Sequence, residues 1–248
     1  MEMAKLEQPP SGNGGDGYVA VLDVDLDLGA TIPAKERELA RQHLTAPYVD
    51  AEPGPWEEAQ EIRAGLGLLV VRGLLTRNLE VAGASSRELL GPGDVIRPWD
   101  DEPELPIPTE ADWTVLEPAR LAILDERFFK LVGRWPELGS ELVHRILRRS
   151  RWLAVRLAIA TLRGVTDRVM LLFWHLSGAW GRVTPEGTLL PHPLTHELIA
   201  DLIGARRPSV TTAISELRES GRLERLEDGW LLVGPAPSQV REGMKRAE

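Results

Sequence analysis

The sequence predicts an α+β protein in three parts: an N-terminal antiparallel β-roll or jelly-roll of the sensor-like type, a long dimerisation helix, and a C-terminal winged helix-turn-helix. Three observations predict this order. Short apolar runs separated by turn signals fill the first half of the chain. After Arg134 the hydrophobic period changes from two residues to about 3.5. Two short helical segments around a glycine, followed by a hairpin, then occupy the C-terminal region.

Composition indicates a folded protein of two main domains. The 248 residues are 43% hydrophobic and 27% charged, and they include no cysteine, which excludes disulfides and thiolate metal sites. No stretch of about 18 uncharged apolar residues predicts a membrane span, so we expect a cytoplasmic protein. The predicted boundaries are a disordered leader at 1–17, a cyclic-nucleotide-binding-like β-roll at 18–135, the dimerisation helix at 136–163, the winged helix-turn-helix at 164–235 and a tail at 236–248.

Charge divides the chain unevenly. The net charge is −9, but residues 1–142 carry −14 and residues 143–248 carry +5. Only the second part is therefore a plausible partner for phosphates. Chance scatter of surface charge is the alternative explanation.

Apolar runs and turn signals predict the strands of the roll. A helical segment at Pro33–Leu44 precedes them. The runs are Leu66–Val71, Leu74–Val81, Glu88–Leu90, Val95–Ile96, Trp113–Leu116 and Leu121–Leu124, with the turn Gly91-Pro92-Gly93-Asp94 among them.

A heptad pattern predicts the dimerisation helix. Apolar or small residues recur at spacings of three and four, namely Val143, Ile146, Ser150, Leu153, Leu157 and Ala160. Arginines surround this stripe, namely Arg145, Arg148, Arg149, Arg151 and Arg156. Since the helix is polar outside one narrow stripe, we expect it to pack against the same helix of a second subunit. The alternative is a stripe that packs on the chain's own roll. A second, more apolar helix is predicted at Val165–Trp180.

The most specific segment lies between Thr195 and Val233. Thr195 can cap a helix, and Gly204 suits the tight turn that follows it. Pro208 suits the first turn of a second helix, predicted from about Pro208 to Glu219. The run Leu223–Val233, with Asp228-Gly229 at its turn, predicts a β-hairpin. Together these elements predict a helix-turn-helix with a wing.

The exposed side of the second helix carries residues that suit DNA. Arg207, Ser209, Thr212 and Ser215 are predicted to face outward, and Arg206 and Arg207 lie at the helix start, where base edges and phosphates are contacted. Residues 195–233 nevertheless have a net charge of −2, so local charge alone does not support DNA binding.

From about Leu66 to Pro235 the chain resembles the Crp/Fnr family of bacterial regulators. The order of elements is that of the family, and Thr195-His-Glu-Leu-Ile-Ala through Ser209-Val-Thr matches its DNA-binding signature. The resemblance implies base contacts by Arg207, which would read a guanine, and by Ser209, Thr212 and Ser215. It implies phosphate contacts by Thr195, His196, Arg206 and Thr211. Pro208 and Thr212 depart from the Glu and Arg usual in cyclic-AMP-responsive members, which leaves the preferred base sequence open.

The roll departs further from that family. Cyclic-AMP-binding members carry a Gly-Glu-Leu and Arg-Ser/Thr cassette after the Gly-Asp turn, whereas here Glu110-Ala111-Asp112 stands where the Arg-Ser/Thr pair would fall. Carboxylates there would repel a cyclic phosphate, so we expect no response to cyclic AMP. Arg97, Trp99, Asp100 and Asp101 form a possible loop for another effector; the alternative is a solvated loop with Trp99 packed on the roll.

These observations predict a transcription regulator that binds double-stranded DNA at an inverted repeat as a homodimer. RNA polymerase is a candidate further partner, and the effector is unknown. No catalytic constellation, cofactor motif or metal-ligand spacing stands out, since Pro193 and a helix cap separate His192 from His196. The alternative is a protein-interaction dimer of the same fold that does not bind DNA. Salt dependence of DNA affinity distinguishes the two.

Overall fold

The N-terminal part of the chain is an antiparallel β-roll; the computed structural model describes residues 17–62, 65–99, 107 and 109–236. Most of the predicted leader and most of the predicted tail therefore lie outside the described residues. Within the described part the strands pair in the order β1-β2-β7-β4-β5, with β3 on β7 and β6 on β4. The strands are β1 (Tyr18–Ala20), β2 (Thr45–Ala51), β3 (Gly54–Pro55), β4 (Gly67–Val81), β5 (Ala84–Leu90), β6 (Val95–Ile96) and β7 (Thr109–Leu124).

Two strands are longer than the sequence predicted. The runs at 66–71 and 74–81 are one strand, β4, and the runs at 113–116 and 121–124 are both part of β7. The β4–β7 register shifts between Val70 and Leu75, which interrupts the alternation of side chains without ending the strand. Gly73 lies at this bend with φ of 90°, and an added Cβ would lie 2.5 Å from the Cα of Ala119. A bulge was therefore misinterpreted as a turn.

Among the described residues, four short α-helices flank the roll, and two long ones follow. The short helices are α1 (Val21–Val24), α2 (Leu26–Ala30), α3 (Ala34–His43) and α4 (Glu126–Val132). Helix α3 confirms the prediction at 33–44. The long helices are α5 (Pro136–Ala160) and α6 (Val165–Trp180). Both were predicted, although α5 ends three residues before the predicted boundary.

The C-terminal part is a winged helix-turn-helix. Its helices are α7 (His196–Ile203) and α8 (Arg207–Glu219). Its sheet has the order β10-β11-β9-β8, formed by β8 (Arg182–Thr184), β9 (Gly187–Leu190), β10 (Leu223–Leu226) and β11 (Gly229–Leu232). Strands β8 and β9 were not predicted from the sequence.

The roll and the winged helix-turn-helix share one core. Leu74 of β4 belongs to the buried cluster of the C-terminal domain, and Leu89 and Leu116 pack against it. Two polar contacts reinforce this junction. Arg87 Nη1 lies 3.3 Å from Asp201 Oδ2, and His192 Nδ1 lies 3.0 Å from Glu117 Oε1. The first helix of the helix-turn-helix is therefore fixed against the β4–β5 hairpin of its own roll.

None of the helices in the described ranges is long and apolar enough to cross a membrane.

Candidate nucleic-acid interface

Helix α8 presents its N-terminal half to solvent. Arg206 is its N-cap and Arg207 its first residue, and both side chains are exposed. Val210, Ala213, Ile214 and Leu217 are buried on the opposite face and hold the helix against the domain. The predicted base-contacting residues Arg207, Ser209, Thr212 and Ser215 are all exposed. The structure thus leaves all four side chains accessible to a ligand.

The hydroxyl groups of α8 are oriented by the helix itself. Thr211 Oγ1 donates to the carbonyl of Arg207 at 3.1 Å, Thr212 Oγ1 to that of Pro208 at 3.2 Å, and Ser215 Oγ to that of Thr211 at 3.1 Å. A hydroxyl that donates to the carbonyl four residues earlier presents its oxygen lone pairs outward. In this state the surface offers hydroxyl acceptors beside the Arg207 guanidinium donors.

The turn between the two helices has the geometry that its sequence predicts. Thr195 Oγ1 accepts from Leu198 N at 3.2 Å, which caps α7 as expected. Gly204 ends α7 with φ of 60°, a left-handed conformation that favours glycine. Arg168 of α6 donates to the carbonyls of Ile203 at 3.2 Å and Gly204 at 3.3 Å, and so fixes the turn from behind.

His196, the first residue of α7, contacts α8 directly. Its Nδ1 lies 3.0 Å from Thr211 Oγ1. Burial lowers the pKa of His196 below its ordinary value, and the positive charges of Arg207 and Arg225 lower it further. The predicted phosphate-contacting residues Thr195, Arg206 and Thr211 are exposed, and His196 is half-buried. All four lie around the start of the two helices.

The wing adds a cation that sequence reasoning missed. Arg225 lies on β10 with its guanidinium 4.6 Å from the centre of the Trp230 ring. Its positive charge is among the causes that lower the pKa of His196. One feature of the sequence could have predicted this contact. Arg225 and the aromatic residue Trp230 occupy paired positions on the two strands of the hairpin.

The wing turn lies one residue earlier than predicted. Leu226 pairs with Gly229, so the two loop residues are Glu227 and Asp228, and not Asp228-Gly229. Gly229 has a different role from the one expected. An added Cβ there would lie 2.2 Å from the carbonyl oxygen of Leu190, so glycine is needed for the close approach of β9.

Three of the five arginines of α5 face the roll rather than solvent, contrary to the sequence interpretation, whereas Arg148 and Arg151 are exposed as expected. Arg145 is buried, with Nη2 2.8 Å from Asp25 Oδ1, and Arg149 forms two bonds of 2.7 and 2.8 Å to the carboxylate of Glu88. Arg156 donates to the carbonyl of Arg87. Three arginines, four and seven residues apart, therefore attach α5 to the roll. Their long side chains carry paired charges inward, which periodicity alone does not reveal.

The opposite face of α5 is apolar and exposed in the single chain. Val143 is 56% exposed, Ile146 52% and Leu157 69%, and Ser150 is also exposed. Leu153 and Ala160 are half-buried, so the predicted stripe is rotated towards the roll at these two positions. Leu147, 61% exposed, lies on the outward face and was missed. The chain's own roll thus packs on the other side of α5 and leaves this face uncovered.

The predicted effector loop is only partly described. Trp99 is 5% exposed and belongs to the buried core of the roll with Trp56 and Trp113, as the alternative interpretation expected. Arg97 lies over the Trp99 ring at 5.3 Å. Asp100 and Asp101 lie outside the described residues.

A cavity of about 510 Å³ lies between the roll, α5 and α6. Its walls include the arginines of the inner α5 face and the aromatic residues Trp152, His175 and Trp180. Asp94 also lines it, and burial raises the pKa of Asp94 to about 6. The cavity places ionisable groups at the junction of the two domains.

Comparisons with known proteins agree with this architecture. The family model of the Crp-like helix-turn-helix domain matches residues 167–234. A CRP-like cAMP-activated global transcriptional regulator from Mycobacterium tuberculosis is 27% identical over 158 residues, which are 62% of this chain and 67% of that protein.

Solved structures show the same fold at lower identity. A cyclic nucleotide-binding domain containing protein from Listeria monocytogenes EGD-e is 15% identical with a TM-score of 0.61, covering 84% of this chain and 96% of its own. A CooA mutant from Carboxydothermus hydrogenoformans is 16% identical with a TM-score of 0.60, covering 91% and 94%. The resemblance predicted from the sequence is therefore confirmed as a similarity: residues 167–234 match the Crp-like helix-turn-helix domain, and the chain is similar in sequence to a CRP-like regulator and in fold to these solved structures.

Proposed function

We propose that this chain is a cytoplasmic transcription regulator that binds an inverted repeat in double-stranded DNA as a homodimer. The observation that carries the proposal is the exposed N-terminal half of α8, where Arg206 and Arg207 lie beside a row of hydroxyl groups. A helix presented in this way fits the major groove, where base edges are distinguished by donors and acceptors.

Arg207 is the residue proposed to read sequence. Its guanidinium stands at the first residue of α8 and is exposed, so it can bond O6 and N7 of one guanine together. Arg206 precedes the helix as its N-cap and is proposed to contact a phosphate. Ser209, Thr212 and Ser215 are proposed as further base contacts, with Thr195, His196 and Thr211 at phosphates.

The exposed apolar face of α5 supports the homodimer. Val143, Ile146, Ser150 and Leu157 form most of the proposed interface, with Leu153 and Ala160 at its flank. A second copy related by a two-fold axis would cover this face and place two recognition helices about 34 Å apart, in successive major grooves. An inverted repeat follows from that symmetry.

The roll is proposed not to bind cyclic AMP. Glu110 pairs in register with Glu80, and Asp112 accepts from Asn78 at 2.9 Å, so this end of the roll is acidic. Trp56, Trp99 and Trp113 fill the interior. The Mycobacterium tuberculosis relative is named as cAMP-activated, which makes calorimetry with cyclic AMP and cyclic GMP a direct test. A micromolar dissociation constant for either would refute this part of the proposal.

DNA binding is tested with two neighbouring arginines. Arg207→Ala is expected to cost roughly 1–3 kcal/mol per half-site on the preferred operator and to relax discrimination at one symmetric pair of positions. Arg206→Ala is expected to weaken operator and random DNA alike and to make the salt slope shallower by about one unit. The measurement is DNA affinity at several salt concentrations.

Either of two results would contradict the proposal. If Arg207→Ala lowered affinity equally for operator and random DNA, Arg207 would be a phosphate contact only. If the wild-type protein bound no DNA at low salt, the fold would serve protein contacts instead.

A further inference from the structure

Helix α6 forms hydrogen bonds to the helix-turn-helix at two separate points. Both come from the first turn of α6, through the side chains of Thr166 and Arg168, which we call the α6 clamp. Four residues, 161–164, separate this turn from the end of α5. The α6 clamp therefore lies where the proposed dimerisation helix is joined to the DNA-binding domain.

Arg168 holds the turn between α7 and α8. Its Nη1 donates to the carbonyl oxygens of Ile203 at 3.2 Å and Gly204 at 3.3 Å. These carbonyls lie at the end of α7, where the last carbonyls of a helix lack partners within it and the helix dipole is negative. Among the residues that the structure describes, Arg168 forms no ion pair, and its Nε is buried without a hydrogen-bond partner. The guanidinium is therefore oriented towards the turn and not towards a carboxylate.

Thr166 holds α8 further along its length. Its Oγ1 donates to Glu216 Oε2 at 2.7 Å. Glu216 lies in the C-terminal half of α8, whereas Gly204 lies just before its start. The two contacts of the α6 clamp are thus made towards opposite ends of the recognition helix, so together they fix its direction as well as the position of its start.

The position of Arg207 depends on the turn that Arg168 holds. Only Ala205 and Arg206 separate Gly204 from Arg207, so a shift of the turn also shifts the first residue of α8. A guanidinium that bonds O6 and N7 of one guanine needs two donor–acceptor distances of about 2.7–3.2 Å at the same time. General attraction to the DNA backbone depends mainly on charge and tolerates such a displacement.

We propose that Thr166 and Arg168 are positioning residues for base recognition, which act through Arg207 and not by contact with DNA. The proposal rests on the DNA-binding function proposed above. It adds two side chains, on a helix outside the helix-turn-helix, that determine how well the protein discriminates between DNA sequences.

The test is the ratio of operator affinity to random-DNA affinity, measured with the full chain at one salt concentration. The operator is the duplex that the wild-type protein selects from a random pool. Arg168→Gln should lower this ratio by about tenfold per half-site, as expected when one bidentate base contact is lost. Arg163→Gln is the matched control, because it removes the same charge from the exposed link between α5 and α6 and should leave the ratio unchanged.

Coupling to Arg207 distinguishes positioning from a general structural role. When Arg207→Ala is already present, Arg168→Gln should lower the ratio by less than about twofold, because the contact that it misplaces is gone. A full tenfold loss in the Arg207→Ala background would show that Arg168 acts independently of Arg207, and would overturn the inference.

Thr166→Val keeps the shape of the side chain and removes its hydroxyl group. It should lower the ratio by about fivefold, the net value of one hydrogen bond, and it decides the matter if thermal melting shows that Arg168→Gln does not fold. An unchanged ratio in Thr166→Val, or in a folded Arg168→Gln, would overturn the inference for that residue and leave the proposed function intact. A wild-type protein that selects no sequence would overturn both.

Discussion

One buried carboxylate, that of Glu88, links α5 to the roll through Arg149. Glu88 is 5% exposed, accepts two hydrogen bonds from Arg149 at 2.7 and 2.8 Å, and lies 3.1 Å from Nη2 of Arg77. Burial alone would raise the pKa of Glu88, but the hydrogen bonds and charge of Arg149, with Arg77 and Arg156, hold it below its ordinary value. The carboxylate is therefore ionised when the protein is folded at neutral pH.

Glu88→Gln removes this charge and keeps the shape of the side chain. Arg149 would then retain the carbonyl of Val95, at 3.2 Å, but no carboxylate bond. Breaking a buried ion pair in this way typically costs about 3–5 kcal/mol. We expect a loss of that order in the free energy of unfolding, measured by urea denaturation at pH 7. Glu80→Gln is the control, since Glu80 lies on the same hairpin and is exposed, and it should change stability by no more than about 0.5 kcal/mol.

The difference in unfolding free energy between wild type and Glu88→Gln should also depend on pH, which gives a second test of the role of Glu88. Because the pKa of Glu88 is lower in the folded state, its stabilisation is present above its unfolded pKa and is lost as the pH falls through the folded one. The difference between wild type and Glu88→Gln should therefore persist at neutral pH and shrink only in acid. A loss no larger than that of the Glu80 control would refute the role of Glu88 in attaching α5.

Three further predictions follow from particular side chains. Leu157→Asp should give a monomer by light scattering and change monomer stability by no more than about 0.5 kcal/mol, because Leu157 is 69% exposed in the single chain; a persistent dimer would exclude this face. Gly229→Ala should cost about 1–3 kcal/mol and lower Tm, since its Cβ would lie 2.2 Å from the Leu190 oxygen; an unchanged Tm would contradict that geometry. Asp94 has its pKa raised to about 6 by burial, so its contribution to stability is lost as the pH rises to that value. Asp94→Asn keeps an acceptor for Gly91 N and should be more stable than wild type at pH 7 by up to about 3 kcal/mol. Equal stability of the two proteins at every pH would contradict this prediction.

Local signals predicted the C-terminal domain well. The α6 helix, the Thr195 cap and the Gly204 turn were all confirmed, because each depends on a few neighbouring residues. The short strands β8 and β9 were missed, since three or four residues give too little alternation to distinguish a strand from a loop.

Long-range contacts limited the prediction elsewhere. The heptad spacing of α5 predicted a helix with an apolar stripe, but the partners Asp25 and Glu88 of its inward arginines come from distant parts of the chain. For the same reason, the heptad spacing placed Leu153 on the exposed face, whereas in the structure it lies at the edge of the cavity.

The central claim is that two copies of α8 read an inverted repeat. Selecting DNA bound by the purified full-length protein from a random duplex pool, followed by sequencing, tests it most directly. We predict enrichment of a two-fold symmetric site whose half-site centres are about 10–10.5 base pairs apart, with a guanine in each half that Arg207→Ala no longer selects. Enrichment of no sequence, or of a single asymmetric half-site, would contradict the account.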